Sequence, residues 1–117
     1  MKNCRRIGSW YEQKAAEYLK AQGYQILEKN FRCQSGEIDL IAKENEYLVF
    51  VEVKYRRTVA LGNPLEAVDQ RKQKRIYQAA GYYLHCFYYG KEVSCRFDVV
   101  AILGEEIFLI RNAFGGI

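Results

Sequence analysis

Two stretches of the chain alternate side chains in the rhythm of β-strands, residues 36–42 ("GEIDLIA") and 47–55 ("YLVFVEVKY"). The polar segment 43–46 between them predicts an antiparallel hairpin. Upstream, Tyr11, Ala15, Tyr18 and Leu19 recur at helical spacing, which predicts a helix over 9–22. Ser9 is placed to cap it with Glu12 three residues on, and Gly23 is a natural stop. Residues 24–31 read as a short strand. Segment 58–63 reads as a loop broken by Gly62 and Asn63, and Pro64 fits the first turn of a long helix reaching about residue 88. Strands at 93–103 and 107–110 complete the chain, turned by Gly104, Glu105 and Glu106. The order is α-β-β-β-α-β-β, a mixed sheet of α/β or α+β class with helices packed on it.

Strand side chains alternate faces. Glu37, Asp39 and Ile41 therefore share a face, and so do Leu48, Phe50, Glu52 and Lys54. If Asp39 opposes Glu52 the loop is 44–47, whereas a two-residue shift brings Glu37 opposite Glu52. In either register acids and a lysine gather at one end of the hairpin. A solvent-facing salt bridge of Lys54 with Asp39 or Glu37 is the simplest account. The apolar Ile41, Leu48 and Phe50 on the same face argue against a wholly solvated surface.

The helices add to this picture. Leu65, Val68, Ile76, Ala79 and Tyr83 form the apolar stripe of the second helix, with Lys72 at its centre. A lysine there either snorkels outward or reaches carboxylates on the sheet. Glu12 borders the apolar stripe of the first helix and is open to two roles, a cap partner of Ser9 or an acid facing the sheet.

Composition changes this picture little. A chain of 117 residues, 27% of them charged, is expected to form one globular domain, residues 1–117. Its net charge of +4 and pI near 8.9 weakly favour a polyanionic partner. Cys4, Cys33, Cys86 and Cys95 show no metal-finger spacing, and with a single His, zinc is not expected. They read as reduced thiols, no signal peptide or bilayer-spanning run is apparent, and the expected location is the cytoplasm without membrane association.

Clustered carboxylates take up protons unless a cation lies between them. Oxygen ligands of this kind suit Mg²⁺ or Mn²⁺. An ion held by Asp39 and Glu52 can polarise a phosphodiester and generate a hydroxide, and Lys54 can orient the water or stabilise the developing charge. Glu12 is placed to hold a second ion or a metal-bound water. The constellation suits phosphodiester hydrolysis.

Asp39 followed by Glu52-Val53-Lys54, after a helix bearing Glu12, resembles the PD-(D/E)XK nuclease superfamily. The series "AAEYLKAQGYQILEKNFR", "GEIDLIAKE", "FVEVKYRR", "GNPLEAVDQRKQKR", "RFDVVAI" and "NAF" is similar to the YraN-like family, small bacterial proteins predicted to be endonucleases and akin to Holliday-junction resolvases. The resemblance implies a restriction-endonuclease-like core, metal ligation by Asp39, Glu52 and the Val53 carbonyl, Lys54 as the catalytic lysine and Glu12 as the first-helix acid. It extends to Lys72 and Asp98 without a role for either. Tyr11 departs from the family pattern, which has Gly before the helix Glu, and the superfamily's proline is replaced by Ile38.

Basic residues bracket the candidate site: Arg56 and Arg57 at the hairpin end, Arg71, Lys72, Lys74 and Arg75 on the second helix, and Arg5 and Arg6 as an N-terminal arm. Such groups give salt-sensitive, sequence-independent contacts to phosphate. Tyr77, Tyr82, Tyr83, Tyr88, Tyr89 and Phe87 read as core or interface rather than stacking platforms, and His85 as a surface residue. The expected function is a Mg²⁺-dependent endonuclease acting on branched or structured DNA in recombination or repair, for which a homodimer suits symmetric cutting. A non-catalytic nucleic-acid-binding or partner-docking module on a nuclease fold is the alternative, and a structural dimer built on the tyrosine-rich helix is a third.

Overall fold

The structure, a computed structural model, describes residues 2–56 and 69–115, with side chains from Trp10 onward. Helix α1 (Lys2–Ala21) is followed by strands β1 (Gln25–Cys33), β2 (Gly36–Glu44) and β3 (Tyr47–Arg56), helix α2 (Gln70–Phe87), and strands β4 (Ser94–Leu103) and β5 (Glu106–Phe114). The five strands form one mixed sheet in chain order. Three pairings are antiparallel, and β3–β4 is parallel, with α2 between them in the chain. This is the α+β arrangement expected, consistent with a restriction-endonuclease-like core.

Alternation along the central strands divides the core. Leu40, Ala42, Val49, Val51, Val100 and Ile102 bury against Ala15, Ala16 and Leu19 of α1. Ile41, Leu48, Phe50 and Val99 bury on the opposite face against Ile76, Ala79, Ala80 and Tyr83 of α2. The stripe expected for α2 is therefore present from Ile76 onward, while Pro64, Leu65, Val68 and the 58–63 loop lie outside the described residues.

The helix ends follow local chemistry. Gly23, at φ +99°, donates its N–H to Lys20 O, and the Tyr24 N–H reaches back to Leu19 O. This left-handed stop satisfies the last carbonyls, and Tyr24 packs in the cluster that holds Leu19. At the other end α1 begins at Lys2. Ser9 thus lies inside the helix rather than ahead of it, which removes the capping-box role for Ser9 and Glu12. Arg5 and Arg6 are likewise carried within α1 rather than in an arm. Helix α2 starts at Gln70, capped by Asp69, whose Oδ1 accepts the Lys72 N–H at 2.9 Å.

Candidate active site at the open end of the β2–β3 hairpin

The hairpin register is the first of the two expected: Leu40 pairs with Val51, and the ladder runs to Glu44 and Tyr47. Continued by one residue it brings Asp39 opposite Glu52, but the paired stretch ends at Leu40 and Val51. The next N–H along that edge of β3, from Val53, donates to Asp39 Oδ2 at 2.8 Å. A residue's N–H and C=O leave a strand on the same edge. The Val53 carbonyl therefore also points into the opening beside Asp39.

The pleat of β2 also slips at Asp39. Ile38 and Ile41 both bury on the α2 side, whereas Leu40 buries on the α1 side. On β1, Asn30 adopts φ +53° between the paired residues Lys29 and Phe31. Asp39 thereby meets groups from both helices. Glu12 of α1 interacts through its side chain with Asp39 and Asn30, and Glu52 does so with Asp39 from the α2 side. Lys72 of α2 places Nζ 3.4 Å from Glu52 Oε2 and is also in hydrogen-bonding contact with Lys54. Glu12, Asp39, Glu52, Lys54 and Lys72 thus form one continuous chain of contacts.

The electrostatics follow from crowding. Glu52, only 7% exposed, is pushed up to about 9, by burial first and then by the hydrogen bond to Asp39 and its charge, against the pull of Lys72 and Lys54. Glu12 rises to about 7 through burial and the Asp39 charge, opposed by a hydrogen bond from Asn30. Burial and the neighbouring Lys72 lower Lys54 to about 8. Burial alone would lower Lys72, but its contact with Lys54 and the charges of Glu52 and Asp39 raise it. Burial thus favours the protonated form of Glu52 at neutral pH, while Lys54 lies close to its own titration point.

Not every sequence-derived candidate joins this cluster. Glu37 is more than half exposed and pairs with Arg32 at 3.1 Å, touching the site only through its charge on Glu12. Asp98 belongs elsewhere. It is fully buried, accepts Nε and Nη2 of Arg96 at 2.9 and 3.0 Å, the Tyr24 hydroxyl at 2.7 Å and the Asn112 N–H at 2.9 Å. Its strand partner is Val51, which points into the α1 core, so Asp98 supports the fold and not the site. Glu44 completes that network, bound by Arg96 at 2.6 Å and Arg111 at 2.9 Å.

The basic groups divide similarly. A groove of about 690 Å³ beside Lys72 is lined by Arg32, Arg71, Lys72 and Arg75, with Glu37 and Asp69 at its wall. Arg32 is the member that sequence reasoning missed, because an arginine at a strand end looks like any solvated cation. Arg56 donates Nη1 to Tyr55 O at 2.8 Å. Arg57 lies outside the described residues, and Lys74 is exposed.

Two carboxylates in contact and a strand carbonyl beside them are oxygen donors of the kind that suits a hard divalent cation. Among the described residues, no three His, Cys, Asp or Glu side chains converge as a ligand group. A closed cage of protein ligands is therefore not present among the described residues, and any cation bound at Asp39, Glu52 and the Val53 carbonyl would keep waters in its shell.

The chain's sequence over residues 11–102 matches the profile of "Uncharacterised protein family UPF0102". It belongs to that family, the YraN-like family of the motifs above. Similar UPF0102 proteins include one from Lachnoclostridium phytofermentans, 57% identical and aligned over 88% of this chain and 87% of its own length. Another, from Fusobacterium nucleatum, is 43% identical over 97% of this chain and 95% of the relative. A third, from Caldicellulosiruptor saccharolyticus, is 44% identical over 96% and 99%. These names carry family membership and no activity. Among the described residues, no helix is long and apolar enough to cross a membrane.

Proposed function

We propose that this protein is a Mg²⁺- or Mn²⁺-dependent endonuclease that hydrolyses phosphodiester bonds in DNA. Branched or structured DNA is the substrate class implied by the resemblance to resolvase-like nucleases. The observation that carries the reading is the contact chain Glu12–Asp39–Glu52–Lys72–Lys54 at the point where β2 and β3 part. Structural ion pairs are normally satisfied at little cost, whereas these groups are held with both acid and base far from their ordinary titration points.

Asp39 and Glu52, once Glu52 is ionised, would hold the ion together with the Val53 carbonyl. Bound there, a divalent ion supplies Lewis acidity toward phosphate and water. Lys54, held near a pKa of about 8, accepts a proton from an approaching water when neutral. Lys72 stays cationic and offsets the charge of the carboxylates. Glu12, at about 7, orients water on the α1 side. Arg32, Arg71 and Arg75 line a groove that suits the flanking phosphates.

The decisive assay offers four-way junction, flap and single-stranded DNA to the purified protein with Mg²⁺ or Mn²⁺. Cleavage is expected from the native chain and is expected to be lost in Asp39→Ala and Lys54→Ala. Equal, background-level cleavage by all three proteins would remove the proposal. One observation favours the alternative of a non-catalytic binding or docking module, namely that no three carboxylate, His or Cys ligands converge among the described residues. For such a module DNA binding survives EDTA, and the same substitutions leave affinity unchanged.

A further inference from the structure

Next to Glu12 stands an aromatic ladder that the hydrolytic chemistry does not use. Tyr11 stacks on Tyr55, ring centroids 3.9 Å apart and planes inclined 22°. Trp10 meets Tyr11 edge-on at 4.8 Å and 83°. The ladder starts at Tyr55, the residue after Lys54 in β3, and ends at Trp10, two residues before Glu12 in α1. Tyr11 and Tyr55 pack on the α1-side core, but Trp10 leaves 55% of its surface exposed. Exposing that much indole forgoes burial worth more than that of almost any other side chain.

The charges around the ladder select its ligand. Lys14 places Nζ 4.6 Å from the Trp10 ring centroid, and Arg56 lies beside Tyr55 with Nη1 on its carbonyl. An indole that is more than half exposed, with one cation over its ring and another at the foot of the ladder, suits a planar base attached to phosphate at the rim of the candidate site. Bases inside a continuous duplex are already stacked on one another and offer no free face. An unpaired base does.

We infer that Trp10 is a stacking platform for an unpaired nucleobase, so the substrate presents a single-stranded or splayed strand at the site. This rests on the nuclease reading and specifies its substrate. The strand crosses the end of the sheet, with phosphates on one flank along the groove lined by Arg32, Arg71, Lys72 and Arg75. On the other flank, past Glu12, a base lies against Trp10. Tyr11, where the family pattern has Gly, is the ring against whose face Trp10 is braced.

Trp10 is the chain's single tryptophan, so its fluorescence reports on the platform alone. The full-length protein is titrated in EDTA, which prevents turnover, with a single-stranded oligothymidylate and with a blunt duplex of equal length. Binding is followed both by anisotropy of the labelled DNA and by tryptophan emission. The single strand is expected to quench the emission at saturation, and the duplex to bind without comparable quenching. Trp10→Ala is expected to weaken single-strand binding roughly tenfold and duplex binding little. Trp10→Phe, which keeps a flat face, is expected to fall between, and circular dichroism checks that both variants fold. Single-strand binding without quenching, equal losses on both DNAs, or identical affinities of the Phe and Ala variants would overturn the inference while leaving the nuclease reading intact. No binding of either DNA by the native chain would overturn the nucleic-acid reading itself, and the platform with it.

Discussion

Two aspartates solve the same backbone problem with opposite consequences. Asp39 accepts the Val53 N–H where the β2–β3 ladder ends, and Asp98 accepts the Asn112 N–H at the irregularity between β4 and β5. Asp98 is then saturated by Arg96 and Tyr24. Asp39 instead faces two further carboxylates. Removing Asp98 leaves Arg96 paired with Glu44 alone and takes the acceptor from the Tyr24 hydroxyl and the Asn112 N–H, so Asp98→Ala is expected to cost about 3–5 kcal/mol in chemical denaturation. Asp39→Ala loses one backbone bond but relieves the crowding of Glu12 and Glu52, and its stability is expected to stay within about 1 kcal/mol of the native chain. A large loss at Asp39 and none at Asp98 would reverse the roles assigned here. Tyr77 is a third residue whose surroundings decide its worth. Its ring packs edge-on against Phe97 at 4.7 Å, yet its hydroxyl is closed off from solvent with no hydrogen-bond partner among the described residues. Tyr77→Phe keeps the ring and removes the orphan, and a gain of about 1 kcal/mol is expected in the same measurement.

Among the elements, what alternation fixes was readable in advance, and what a backbone irregularity fixes was not. A strand with one face toward each helix has its faces set by burial, so the common face of Glu52 and Lys54 followed from "YLVFVEVK" alone, whereas two registers sharing those faces stayed open and the ladder itself chooses between them. The slip at Asp39 is accompanied by a positive φ at Asn30 on the neighbouring strand, and although Asn tolerates that conformation, its place in a β run does not say that the partner strand will slip there. The choice for Glu12 between a cap and the sheet therefore rests on the start of α1 at Lys2 and on the slip of β2, neither of which periodicity encodes. Asp98 has no role legible in the sequence for a similar reason, because a buried aspartate reads alike whether its partners are arginine or other acids. One junction between elements allows a direct test. A Cβ at Gly36 would lie 3.0 Å from the Arg75 carbonyl oxygen and 3.3 Å from its Cβ, so β2 approaches α2 closely one helical turn from Lys72. Gly36→Val is expected to separate them, costing about 1–3 kcal/mol of stability. It is also expected to loosen the Lys72–Glu52 pair and lower cleavage of structured DNA. Unchanged denaturation midpoint and activity would show that α2 is free to shift without cost.

For the whole molecule, the sheet separates two apolar cores and leaves the crowded acids where the two meet solvent, so stability and chemistry compete at one place. Glu52 is raised from 4.5 to about 9 and Glu12 to about 7 in the folded chain. Between those values and 4.5 the unfolded chain releases protons that the folded chain keeps. Stability of the metal-free protein is therefore full below about pH 4.5 and falls as pH rises through the folded values of these two acids. Lys54, lowered from 10.5 to about 8, acts in the opposite sense, adding stability only as pH rises above about 8. Thermal melts in EDTA are thus expected to show a midpoint that drops from about pH 5 to about pH 8 and then levels. In Glu52→Gln, which keeps an amide donor toward Asp39 and cannot ionise, most of that slope should vanish. If the proposed ion is held here it needs the ionised carboxylates, so the stabilising shift from Mg²⁺ should be small at about pH 6 and grow toward about pH 8. A melt that is flat with pH in EDTA would mean that burial does not hold the proton on Glu52. A Mg²⁺ shift equal at both pH values, or equal in Glu52→Gln, would locate the ion away from these carboxylates.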